Sequence, residues 1–237
     1  MKNTANRCGM DFTAFDYATG KPALTFPFIN EYALDLKRSR TFATGNPSQA
    51  NLVGFDDPYE GTVKVSTQII PIELIAMVAG GEIKDSADIG VREVLTVKDA
   101  GKITLSETPV AGTLYVYALD SDCVGQPAAT EATAKDVTIA DATAGQKYVA
   151  YYFKTDAAAR SVTFNGNNTV GFYALDGYTK MKDTDGVDSM EHHHAYKVQP
   201  QQAITLTYHG KGDPMSLDVT FDILEDDEGN DYTIARV

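Results

Sequence analysis

Ten residues near the C-terminal end set the tightest limit on this fold: Met215-Ser216-Leu217-Asp218-Val219-Thr220-Phe221-Asp222-Ile223-Leu224. Leu217, Val219, Phe221 and Ile223 alternate with Ser216, Asp218, Thr220 and Asp222. A period of two puts the first set on one face of a β-strand and the second set on the other. The first face can seal a core. The second is small, polar and acidic, and it carries no obvious catalytic group. Such a strand presents a surface, and it points to a structural subunit, not an enzyme.

A second strand is predicted from Thr62 to Ile70. Val63, Val65, Thr67 and Ile69 share one face, and Lys64, Ser66 and Gln68 share the other. At ~3.3 Å per residue it spans roughly 30 Å. Pro71 ends it, and residues 72–79 read as a short helix with Pro71 at its first turn and Gly80-Gly81 past its end. Apolar residues nearly encircle that helix, which predicts burial. Strand patterns follow at 160–164, 170–175, 192–198 and 203–208. The predicted class is all-β with one flanking helix. Val63, Val65 and Ile69 are expected to share a core with Leu217, Val219, Phe221 and Ile223.

Two stretches depart from this texture. Residues 1–60 give few regular signals. Ala43-Thr44-Gly45-Asn46-Pro47-Ser48-Gln49 and Asp56-Asp57-Pro58 read as loop. So long a segment is either an arm that orders against another subunit or a surface loop ordered within its own chain. Strand 91–97 closes the first part of the parent domain. Beyond it, short strands separated by Thr108-Pro109, Ala111-Gly112, Gly125-Gln126-Pro127 and Ala144-Gly145 suggest a small immunoglobulin-like β-sandwich. The expected division is a β core of 1–97 with 157–237, interrupted by a module at 98–156.

The net charge of −13 disfavours a partner held by its phosphates. Cys8 and Cys123 are the only cysteines, and neither has metal-binding spacing. The N-terminus carries no signal-peptide pattern and no run is long enough for a membrane span, so a soluble protein made in a cytoplasm is expected. In the run 192–194, His192 and His194 share a strand face and His193 points away. With His209 or Glu191 they could form part of a zinc site, but nothing fixes the remaining ligands, and strand histidines are the expected reading. Asp183-Thr184-Asp185-Gly186-Val187-Asp188 resembles the start of a calcium loop, yet the sixth and twelfth positions hold Asp188 and His194 where that loop needs Gly and Glu. A hairpin turn is expected there, and a solvated acidic turn from Glu225 to Asp231. No nucleophile motif or phosphate loop is present. No cofactor, resident metal or catalytic residue is expected.

Three stretches carry a resemblance. Phe55-Asp56-Asp57-Pro58-Tyr59-Glu60-Gly61-Thr62-Val63-Lys64-Val65 feeds a long strand. Gln68-Ile69-Ile70-Pro71-Ile72-Glu73-Leu74-Ile75-Ala76 steps from strand to helix. The third runs from Gly212 to Leu224 with its acidic turn. Together, over about residues 40–97 and 160–237, the pattern resembles the virion structural proteins of tailed bacteriophages, above all the major tail tube subunits. That resemblance implies a half-barrel or β-sandwich subunit that forms hexameric rings stacked into a hollow tube. Neighbours share sheet strands, leaving no exposed edges. The implied partners are further copies of the chain, other tail proteins (tape measure, sheath or terminator) and DNA passing through without specific binding. The implied location is the virion tail, assembled in the host cytoplasm. Ser216, Asp218, Thr220, Asp222, Ser66, Gln68, Thr205 and Thr207 would then face the lumen, where a Lys-rich wall would trap DNA. Lys64 and Lys197 are exceptions to that pattern. Other readings are a capsid decoration protein, a carbohydrate- or surface-binding β-sandwich, and a metal-dependent hydrolase using the histidine run.

Overall fold

The computed structural model describes residues 3–26, 29–44, 51–99, 101–208, 210–212 and 214–236. The chain divides into two compact units, Met1–Ile83 with Val162–Val237, and Lys84–Ser161.

The first unit is built on strands β1 (Thr4–Asp16), β2 (Pro22–Phe26), β3 (Ile29–Thr44) and β4 (Asn51–Thr67), followed by helix α1 (Ile72–Ala79). The chain leaves along β5 (Glu82–Lys84). The second unit contributes β6 (Ala87–Thr96), β7 (Lys102–Thr104), β8 (Tyr115–Ala118), β9 (Asp136–Thr138) and β10 (Lys147–Asp156). The return is along β11 (Ser161–Thr163), which pairs with β5. The first unit then finishes with β12 (Tyr173–Asp183), β13 (Asp188–Pro200), β14 (Leu217–Leu224) and β15 (Tyr232–Arg236). The protein is all-β with one α-helix among the described residues.

One antiparallel sheet organises the first unit, in the order β2-β1-β12-β13-β14-β4-β3, with β15 paired to β13. Alternation decides what it buries. Leu217, Val219 and Phe221 on β14 are at most 1% exposed. In register they meet Thr67, Val65 and Val63 of β4. Each large apolar side chain so buried contributes about 1.5–3 kcal/mol. Ile223 packs on the same cluster and is half-buried. The sheet curls over this core without closing into a barrel: Phe12 of β1 stacks on Tyr32 of β3 at 4.8 Å, although the two strands stand far apart in the sheet order. Helix α1 packs Leu74, Met77 and Val78 onto the same core. Gly80 ends the helix at φ 68°, a left-handed conformation that glycine adopts without steric penalty.

The second unit has its own core, which includes Val97, Leu105, Leu114, Val116, Val137 and Ile139. It pairs β6-β10-β8 in one sheet and β7-β9 in another.

Three expectations need correction. Residues 1–60 are largely strand, from β1 through most of β4. Outside Met10, Phe12, Ala14, Phe26 and Ile29 these strands bury little up to residue 60, so only a weak apolar alternation at 32–36 advertises them. Of the loop expected at 43–49, Ala43 and Thr44 end β3, and residues 45–49 lie outside the described residues. The compact second unit runs 84–161, wider than 98–156, because β6 pairs along its whole length with β10. Finally, Ile69 is 52% exposed and not in the core. Strand β4 ends at Thr67, whose hydroxyl accepts the Ile69 N–H at 3.1 Å. That local bond turns the chain, so buried Thr67 is the last core-facing residue of the strand and Ile70 packs on the core in place of Ile69.

Candidate functional site

Two surfaces of the first unit stand out, one polar and one apolar. The polar surface starts at β14. In register, Asp218 faces Ser66 and Thr220 faces Lys64 on β4. Ser66 Oγ donates to Asp218 Oδ1 at 2.6 Å, and Lys64 Nζ lies 2.9 Å from Asp218 Oδ2. The Ser66 hydrogen bond, helped by Lys64, holds the Asp218 carboxyl below its ordinary range. Asp218 is thus charged, and the Lys64 charge is matched beside it. Lys197, the other basic exception, sits over the rings of Tyr17 and Phe172, at 4.9 and 5.4 Å.

After β13 the chain runs back along β14. The Gln201 N–H donates to Thr220 O at 2.8 Å, and Gln201 Nε2 donates to Asp222 Oδ1 at 2.7 Å. Ile204 and Leu206 pack on the core, so the alternate residues Thr205 and Thr207 turn outward. A groove of about 430 Å3 results, lined by Gln201, Ala203, Thr205, Thr207, Ser216, Asp218 and Thr220. Five of the eight polar positions singled out from the sequence therefore share one groove. Ser66 is bonded to it through Asp218, Asp222 lies farther along β14, and Gln68 is exposed just beyond β4.

The apolar surface was not legible as a site. Beyond Leu36, where β14 no longer pairs with β4, β3 and β4 continue as a two-stranded ribbon, paired out to Thr44 and Asn51. Nearly every residue of 35–44 and 51–60 is exposed. Leu36, Phe42, Leu52, Val53, Phe55 and Tyr59 are among the exposed large hydrophobics, with Leu52 at 69%. Polar contacts pin the ribbon halfway along. Arg38 Nε donates to Asp57 O at 2.8 Å, Ser39 Oγ donates to Asp57 Oδ2 at 2.6 Å, and Arg40 bonds Asp56. The register shifts between Arg38 and Arg40, opposite Asp57-Pro58, and such a bulge accommodates a proline that cannot donate to the ladder.

The histidine run splits as its period requires. His192 Nε2 and His194 Nδ1 both approach Asp176 Oδ1, at 2.8 and 2.9 Å. His193 turns inward. Its Nδ1 lies 2.7 Å from the Tyr232 hydroxyl and its Nε2 3.2 Å from Glu191 Oε1. Among the described residues no group of three or more His, Cys, Asp or Glu could hold a metal ion, and His209 lies outside them. At the β12–β13 hairpin, Asp183 Oδ1 accepts the N–H groups of Asp185 and Val187, at 2.9 and 2.7 Å. Asp226 Oδ1 does the same for Glu228 and Asn230, at 2.9 and 2.7 Å. Both acidic stretches are turns closed by their own side chains. Cys8 and Cys123 are exposed free thiols. No helix among the described residues is long and apolar enough to cross a membrane.

A search of the curated proteins finds no match. A model of the YomU/Tube protein family matches residues 9–237, and on that match the chain belongs to this family.

Proposed function

We propose that this chain is a structural subunit of a tailed-bacteriophage virion, one that self-assembles into stacked hexameric rings to form the tail tube. The observation that carries this reading is the β3–β4 ribbon, in a chain whose family is named for a tube. Two antiparallel strands alone are marginal in water. A ribbon of about eight to ten residues a side, roughly 30 Å long, with exposed Leu, Phe, Val and Tyr, gains stability when other copies cover it. It serves as the contact between subunits.

The polar groove along β14 is assigned to the channel. Its wall is four hydroxyls, one amide, one methyl and one carboxylate, and the nearby Lys64 is paired with that carboxylate, Asp218. DNA held by such a wall would gain little from counterion release, so it slides through without sticking. The subunit has no catalytic role. It works in the virion, beside other tail proteins and with DNA as passing cargo.

Electron microscopy of the purified protein across a concentration series tests this. Tubes or six-fold rings are expected. Monomers alone at the highest concentration would overturn the proposal.

A further inference from the structure

The β6-β10-β8 face of the second unit presents three aromatic rings that the unit's own core does not use. On β10, Tyr148, Ala150 and Tyr152 are buried, while Phe153 is exposed and Tyr151 lies partly open. Tyr151 faces Tyr115 across β8 and Arg92 across β6, and Phe153 faces Gly90. Tyr115 and Phe153 are 47% and 48% exposed. Glycine keeps the platform bare. A side chain at Gly90 would meet only the Phe153 ring, at 3.7 Å, and one at Gly112 would meet nothing within 4 Å. The result is a groove of about 450 Å3, inside the usual range for small-ligand sites.

One end of the groove is polar. Arg92 Nη2 lies 3.1 Å from Asp122 Oδ2, Arg92 Nε lies 3.1 Å from the Tyr151 hydroxyl, and that hydroxyl donates to Asp122 at 3.0 Å. A guanidinium has five N–H groups and a carboxylate about four acceptor sites, so this triad keeps donors and acceptors to offer.

We propose that this face is a binding site for neutral oligosaccharides. A pyranose ring has flat C–H faces that stack on aromatic rings and a rim of hydroxyls that need both donors and acceptors, and the groove supplies both. Strand geometry puts Tyr151 and Phe153 ~6.6 Å apart and Tyr115 ~4.8 Å across from Tyr151, a spacing suited to consecutive sugar units. Charge sets the limit to neutral sugars. Arg92 is paired with Asp122, the groove lining has no other cation, and the chain carries −13 overall, so phosphate- or sulfate-bearing ligands find no counter-charge. A protein partner is a poorer fit, because a stable interface engages roughly 20–30 residues a side, far more than line this groove.

The test titrates the full-length protein with maltohexaose, cellohexaose and chitohexaose, and with dextran sulfate as the anionic probe, by calorimetry and saturation-transfer NMR. At least one neutral hexaose is expected to bind, with ring protons saturated and little salt dependence. Tyr151→Ala and Phe153→Ala are each expected to weaken binding about tenfold. Gly90→Leu, which removes no ring, is expected to do the same by covering Phe153, so it guards against a misfolded aromatic variant. Circular dichroism reports the fold of each. The proposal is overturned if no neutral hexaose binds at about 10 mM, if only dextran sulfate binds, or if all three folded variants bind as the parent does.

Discussion

His193 sits where burial and a carboxylate pull its charge in opposite directions. Burial dominates and holds the imidazole below its ordinary value of 6.5, against the pull of Glu191. Burial also opposes the charge on Glu191, but hydrogen bonds from Arg236 and His193 outweigh it and keep that carboxyl below its ordinary 4.5. Arg236 Nε reaches Glu191 Oε2 at 2.5 Å, and Tyr232 links His193 to Tyr32, whose hydroxyl burial pushes up to about 12. Both His193 and Glu191 bind protons less readily folded than unfolded. Acidification therefore favours the unfolded chain: the His193 contribution is present above 6.5 and is lost as pH falls through its lower folded value, and Glu191 follows the same sign below 4.5. Calorimetry should show the first unit's Tm falling from pH 7 to pH 5, with a shallower fall in His193→Gln, which keeps a hydrogen-bonding side chain without the titration. A steric prediction belongs at this scale too. A Cβ on Gly177 would meet Asp11 O at 2.4 Å and Phe12 Cδ1 at 2.6 Å. Gly177→Ala should cost about 1–3 kcal/mol, read as a lower urea midpoint at unchanged slope. The period of two told that His193 faces away from His192 and His194. It could not tell that Tyr32 and Tyr232, distant in the chain, would meet it.

Elements were legible in proportion to how one-sided their burial is. Strand β14 buries one face and wets the other, so its alternation is written in the sequence, and α1 is bracketed by Pro71 and Gly80. The ribbon of β3 and β4 buries neither face. It is held by its backbone ladder and by Arg38, Ser39 and Arg40 on Asp56 and Asp57, and no hydrophobic period can announce such a structure. Ile69 failed for a smaller reason, since one hydroxyl bond from Thr67 ended the strand two residues before the pattern did. The five polar positions that share the β14 groove were readable because they alternate with core residues; that residues 203–208 lie beside β14 was not. If the ribbon joins subunits, Leu52→Asp with Phe55→Asp should abolish assembly in electron micrographs and light scattering. Both side chains are exposed in the single subunit. Its circular dichroism should be unchanged and its stability should move by no more than about 0.5 kcal/mol. Tubes of normal yield from that double variant would remove the ribbon from the assembly contact.

At the scale of the whole chain, the two hydrophobic clusters share no residue. The first draws on strands β1–β4 and β12–β14 with α1, and the second lies wholly between Val91 and Tyr152. Cooperative unfolding follows a continuous core, because a side chain loses its packing only when the neighbours it touches let go. The chain passes into and out of the second unit through one pair of short strands, β5 and β11. Differential scanning calorimetry of the unassembled chain should therefore resolve two transitions. Phe221 and Val116, both fully buried, identify which is which. Phe221→Ala should lower the first unit's transition by about 3–5 kcal/mol and leave the other in place. Val116→Ala removes less volume and should lower only the second unit's transition. A single transition that moves as one under either substitution would show that the clusters melt together, and that residues 84–161 are no independent module but part of the subunit's own cooperative fold.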